Sequence, residues 1–455
     1  MRFIRKVPRQ EKNSSSLAQS DAPPCANGNV RLYLLKHPTV TAFTLFLLIL
    51  SGPPRLRFRD PEASLHGDID WVVAINLAVW GLAGLWVCLQ MLSRLHGKRP
   101  LIRMRLPQAL GLALVVCLAA STLFSAAPAL TAYKVYQVLV SMLFTQIFFE
   151  RFGAATCLKG MLWGNALLCI AIAICAVAAP DMVWTPSDFD ADPTRLFGTL
   201  IAPTGVVAVL AIVLLLTSVK DFVKPLPLSL LAVFFGLLAV SLMRTAYVAA
   251  LVFFVLVLLK RPSVKPLRRF TYLFVGLLVV AYACAWLPNL SQYRDPQSIS
   301  TLSDRTGLWR YLTAETLSRS PWLGLGYYSA SRTYGLEYNP GLGTAHSAFF
   351  EVLSGGGVIS FALFLALCIS LSVYAAHILW AGNGRVLFAI ASLFVVTLLF
   401  ASMVDEVDSG PIAVSFWCAA AILPRLHESL SRRAPRRAES SPRLPLRVAA
   451  ESKVS

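Results

Sequence analysis

The feature that most limits what this chain can become is a succession of twelve apolar runs. They lie near residues 34–50, 71–92, 107–125, 130–149, 157–179, 197–218, 226–242, 245–260, 270–287, 346–376, 386–403 and 410–424. Most have the 17–25 residues that a helix needs to cross about 30 Å of hydrocarbon. Charged residues make up 14% of the chain, against about 25% in soluble proteins. A disordered chain, a disulfide-stapled secreted module and most soluble enzymes are thereby excluded. The expected fold class is an all-α integral membrane protein of about twelve transmembrane helices. The runs 226–242 and 245–260 meet at Arg244 in SLMRTAY. A charge at mid-bilayer costs at least about 2.5 kcal/mol, so a tight hairpin with Arg244 at the interface is expected.

An even number of spans puts both ends of the chain on one side. The loops of that side carry 30 Lys and Arg against 7 Asp and Glu, and the opposite loops 11 against 16. By the positive-inside rule the first side is cytoplasmic. The net charge of +18 is then explained by topology rather than by a nucleic-acid surface. Residues 1–33 read as a cytoplasmic N-terminal segment with no removable signal peptide. Residues 34–424 read as the membrane domain, and 425–455 (SRRAPRRAESSPRLPLR within it) as a disordered basic tail that touches anionic lipid. Nine cysteines show no CxxC pair and no metal-ligand spacing, and read as free thiols within helix packing.

Residues 288–345 form the one long loop, on the outer, periplasmic side, and its aromatic content argues for order. SDRTGLWRYLTAETLSRSPW reads as a helix capped by Ser303 or Asp304 and stopped at Pro321. Leu308, Leu312 and Thr316 share one face, with Trp309 and Tyr311 beside it. Arg305 stands in the first turn, where unpaired N–H groups and the helix dipole favour an anion. It reads either as a phosphate site or as a loop Arg paired with Asp304 or Asp295. His346, at the membrane boundary, reads as a general base for a hydroxyl or as an interfacial imidazole bonded to backbone. Glu351 either orients His346, serves as a second base, or snorkels from a buried helix end. Gly324, Gly326, Gly341 and Gly343 allow close turns and some motion. Arg195 and Arg244 are two further outer-face guanidiniums. Three converging Arg residues would hold about two phosphate charges, which points to a lipid-linked diphosphate.

The run RTGLWRYLTAETLSRSPWLGLGY…AHSAFFEVLSGGGVISF resembles the O-antigen ligase/polymerase superfamily of bacterial envelope proteins. The matching residues are Arg305, Trp309, Ser320-Pro321, Gly324, Gly326 and His346-Ser347. RLFGTLIAPTG resembles the family's Arg-containing segment through Arg195 and Gly198, with Thr204 where Asn is usual. SLMRTAYVA resembles its Ser-Arg hairpin, with Met243 in place of Ser. The resemblance implies a GT-C-like, metal-independent, inverting membrane glycosyltransferase of the bacterial inner membrane, without cofactor. Its donor would be a glycan on undecaprenyl diphosphate. Arg195 and Arg305 would hold the diphosphate, with Arg244 beside them, and His346 would deprotonate the acceptor. Trp309 and Glu351 would support the site.

Within that superfamily the expected function is O-antigen ligase, transferring polysaccharide to lipid A–core. Alternatives are an O-antigen or exopolysaccharide polymerase and a protein O-oligosaccharyltransferase. A lipid or solute transporter is the rival of another class. It calls for charges within spans and paired broken helices, whereas Lys134, Lys159 and Glu351 all lie near span ends.

Overall fold

Backbone groups cannot stay unpaired in hydrocarbon, so apolar runs of this length form helices. The computed structural model describes residues 71–97, 104–185, 195–196, 204–218, 225–241, 243–260, 305–339, 344–382, 384–404 and 407–439, with Leu45, Leu48 and Ile49. The longer helices among the described residues are α1 (Trp71–His96), α2 (Leu106–Ala120), α3 (Pro128–Ala178), α4 (Thr204–Ser218), α5 (Pro225–Ser241), α6 (Arg244–Lys260), α7 (Arg305–Arg319), α8 (Ala348–Ala381), α9 (Arg385–Met403) and α10 (Gly410–Glu439). The only strands among the described residues are β1 (Trp184–Thr185) and β2 (Arg195–Leu196), paired antiparallel. Among the described residues, five helices are long and apolar enough to cross a membrane: α1, α2 (apolar through Phe124), α3, α8 and α9. The expected runs 34–50 and 270–287 lie outside the described residues, apart from Leu45, Leu48 and Ile49. The helix that begins at Gly410 passes the expected tail boundary at 425 and continues to Glu439.

At 51 residues α3 would be about 76 Å long if straight, far beyond a bilayer. It is broken at Gly153 (φ 78, ψ 167), between the two runs expected at 130–149 and 157–179. The chain reverses there. Glu150 pairs with Arg425 of α10, while Cys157 lies back within electrostatic reach of Cys418, about two turns nearer the start of α10. Arg244 opens α6 and is exposed, as the expected hairpin requires.

The core is the buried contact of these helices. α4 is apolar all round and almost wholly enclosed, with every residue from Val206 to Leu216 buried, as a helix without a polar face must be. Polar contacts define the two ends of the bundle. At one end, Glu150 accepts bonds from Arg94 (2.5 Å) and from Arg425, and Arg105 pairs with Glu428 (2.5 Å). Lys260 Nζ donates to the Trp380 carbonyl (2.5 Å). The C-terminus of α6 therefore meets the C-terminus of α8, which is joined by residues 382–384 to the start of α9. The opposite termini, at Arg244, Ala348 and Met403, share the other end.

Candidate active site

The first turns of α8 are shaped by a helix break. Gly357 has φ 70 and ψ −173, a region essentially reserved for glycine. The break frees backbone groups, and the SPWLGLG segment takes them up. Val358 N donates to Pro321 O (2.9 Å), Leu325 N to Ser354 O (2.9 Å) and Gly326 N to Gly355 O (3.0 Å). A Cβ on Gly324 would lie 2.5 Å from the Gly355 carbonyl, and one on Gly326 would lie 2.4 Å from Ser125 Oγ. Gly324 and Gly326 therefore make the close turns expected of them, and the loop they belong to is bonded to α8. Gly341 and Gly343 lie outside the described residues.

Onto this clip is laid α7. It runs to Arg319, just before Ser320-Pro321, and buries Leu308, Leu312 and Thr316, the face the sequence indicates. The expected caps Ser303 and Asp304 lie outside the described residues. Leu308 and Leu312 pack with Ala345, Tyr334 and Phe350. Trp309 Nε1 donates to the Ala345 carbonyl (2.7 Å). The Trp309 ring stacks on Phe350, with centroids 4.4 Å apart and planes at 9°. This is an offset-stacked pair, and it borders a groove of about 470 Å3 that Thr306, Arg310 and Leu317 also line.

His346 follows Ala345 and is half-buried. It holds φ 51, a left-handed backbone that only a few per cent of non-glycine residues adopt. Glu351, one turn into α8, is fully buried. Its Oε2 accepts from Ala345 N (3.3 Å) and its Oε1 from Ser331 Oγ (2.9 Å). The carboxylate does not snorkel to solvent. It grips the residue before His346 from one side, as Trp309 grips it from the other.

Arg305 stands one turn before Trp309, so the two occupy neighbouring positions on the same side of α7. Arg305 Nη1 donates to the Met403 carbonyl (2.7 Å), at the C-terminus of α9, where the helix dipole favours a cation. The pairings with Asp295 and Asp304 weighed above concern residues outside the described ones. Arg244 is at the same end of the bundle, and Gly205 at the start of α4 abuts Ala246 and Ser241 beside it. The Arg195 backbone pairs with Thr185. The neighbouring Trp184 donates through Nε1 to Ala176 O (3.1 Å) in the last turn of α3. Of the residues singled out in the sequence, Arg305, Trp309, Glu351 and His346 are thus brought together, Arg305 and His346 through Trp309 and Ala345, whereas Arg195 and Arg244 are carried by other elements, β2 and the start of α6.

The sequence reading missed a buried ion pair there. Lys134 Nζ lies 2.6 Å from Asp408 Oδ2 and 3.9 Å from the Tyr328 ring centroid. The available signal was a pair of opposite charges at the ends of apolar runs. Lys134 was noted only for its position, and Asp408 was not singled out. Ser331, the donor to Glu351, carries no sequence signature.

These features define an α-helical membrane protein with a helical cap, α7, packed on the start of α8, with Arg305 in the first turn of the cap and His346, in a left-handed backbone, next to the Ala345 that Trp309 holds. A family model described as O-antigen ligase matches residues 228–365, from within α5 to within α8 and through the whole cap. Over that segment the chain is similar to the O-antigen ligase/polymerase superfamily. No curated protein matches it.

Proposed function

We propose that the chain is an O-antigen ligase, moving polysaccharide from undecaprenyl diphosphate to lipid A–core at the periplasmic face of the inner membrane. In this reading twelve helices cross the bilayer in a GT-C-like arrangement, with both termini cytoplasmic. His346 accepts the proton of the acceptor hydroxyl. Arg305, with Arg195 and Arg244, holds the diphosphate and stabilises the charge that grows on it as the leaving group departs. The glycosidic carbon is attacked from the side opposite the diphosphate, so its configuration inverts, and no metal is required. Trp309 and Glu351 set the backbone of His346.

The observation that carries this reading is the bond from Trp309 to Ala345. It couples the helix that starts with Arg305 to the residue preceding His346, inside the segment that matches the O-antigen ligase family. The test is the lipopolysaccharide pattern of a deletion strain, complemented with wild type or His346→Ala. Ligase function requires bare lipid A–core in the deletion and the His346→Ala strain, with long undecaprenyl-linked polymer accumulating. Core capped by a single repeat would instead identify a polymerase. An unchanged ladder would remove both readings and leave exopolysaccharide, protein glycosylation or transport.

A further inference from the structure

Two non-glycine residues among the described ones hold a left-handed backbone, Tyr328 (φ 64) and His346 (φ 51). Such conformations cost of order 1–3 kcal/mol and persist only where the surroundings over-determine them. Around Tyr328 those surroundings are ionic. Its ring lies over the Lys134 ammonium at 3.9 Å, and the Arg332 guanidinium is 5.7 Å from its centroid. Lys134 is paired with Asp408, and both are buried. Asp408 is fixed in turn: its carbonyl accepts from Ser141 Oγ (3.0 Å) and its Oδ1 from Ser409 N (2.8 Å). The ion pair therefore joins the start of α3 to the start of α10, and Tyr328 rests on it.

Stability alone is a weak reason for such a pair. Replacing a buried ion pair by apolar residues of similar volume is often neutral or stabilising. The same two helices already bury Phe144, Phe148, Phe416 and Trp417. A specific consequence of the pair is where Tyr328 sits, and from there the way to His346 is short. The Tyr328 carbonyl is 3.2 Å from Ser331 Oγ. Ser331 Oγ is 2.9 Å from Glu351 Oε1, and Glu351 Oε2 takes the N–H of Ala345.

We propose that the Lys134–Asp408 ion pair is a positioning device for the transfer reaction: through Tyr328, Ser331 and Glu351 it fixes the backbone of His346 and so the angle at which the imidazole meets the acceptor. The proposal rests on the reading of His346 as the group that takes the acceptor's proton. Lys134 and Asp408 touch no reacting atom in it.

The test uses the full chain, purified with lipid, and a lipid-linked glycan donor with lipid A–core acceptor. It compares kcat, donor KM and the thermal midpoint. In the double variant Lys134→Met with Asp408→Asn both charges of the pair are removed together, and the Asn side-chain oxygen still accepts the Ser409 N–H. It is expected to lose at least tenfold in kcat, with donor KM within twofold and a thermal midpoint no lower than wild type. Lys134→Arg keeps both the ion pair and the cation over Tyr328, and is expected to retain most of kcat. A wild-type kcat in the double variant overturns the proposal. So does a loss that follows a fall in thermal midpoint, or a Lys134→Arg variant as impaired as the double. His346→Ala run in parallel separates the two readings. If it is inactive while the double variant is normal, only the positioning role fails. If it is fully active, the reading of the site fails and the proposal falls with it.

Discussion

Replacing Trp309 by Phe is a direct probe of how the cap governs His346. The change keeps an aromatic ring to stack on Phe350 but deletes the Nε1–H that donates to Ala345 O (2.7 Å). Ala345 is fully buried, so its carbonyl loses this partner without gaining water. An orphaned buried acceptor costs about 1–3 kcal/mol. If that cost is relieved by rotation of the 344–347 segment, the same energy is lost from alignment of His346. At 1.36 kcal/mol per factor of ten, kcat falls roughly 5- to 150-fold. The assay is initial-rate transfer of lipid-linked glycan to core acceptor, with donor KM measured alongside. Donor KM should hold, because Arg305 keeps its bond to the Met403 carbonyl. Trp309→Leu, which also loses the stack, should be worse in stability but similar in kcat. A Trp309→Phe enzyme within twofold of wild type in kcat would refute the coupling. A loss appearing wholly in KM would refute it equally.

Arg305→Lys should be nearly as damaging as Arg305→Ala in transfer rate, at least tenfold, because an ammonium cannot reproduce the bidentate fork; a fully active Lys variant argues against phosphate gripped in this way. Gly357→Ala and Gly153→Ala form an internal contrast. Both glycines hold a backbone that costs an alanine about 1–3 kcal/mol, but a Cβ on Gly357 would lie 2.4 Å from the Trp322 carbonyl oxygen while one on Gly153 meets nothing within 4 Å. The first should lower the thermal midpoint clearly more than the second, and equal shifts would contradict the role given to the clip. Transfer by the purified protein should survive EDTA, and strict dependence on a divalent ion would overturn the metal-independent mechanism.

Much of the architecture was legible because hydrocarbon tolerates so few backbone solutions. Apolar length located α1, α2, both halves of α3, α8 and α9, and the exposed Arg244 fell at a helix start because a mid-membrane charge is costly. The amphipathic spacing of Leu308, Leu312 and Thr316 gave the buried face of α7, since helical period alone dictates which side chains align. The candidate site residues were legible one at a time, Arg244, Arg305 and His346 at or just before helix starts, while Arg195, expected to open a span, lies in strand β2. Nothing local said how they would be linked. Ala345 and Trp309 are 36 positions apart, Lys134 and Asp408 are 274 apart, and neither separation leaves a periodic trace in the chain. The glycines were legible only in part. From sequence they permit close turns and motion; the structure uses Gly357 and the clip over Gly355 for close contact, and Gly153 only for its positive φ. The sequence by itself determined a helical membrane protein and the buried face of α7, because solvation and helical period act locally. Only the tertiary structure decided that His346 has a left-handed backbone, that Trp309 and Glu351 grip Ala345 before it, and that a buried ion pair lies under Tyr328, because those constraints exist only once distant segments have packed.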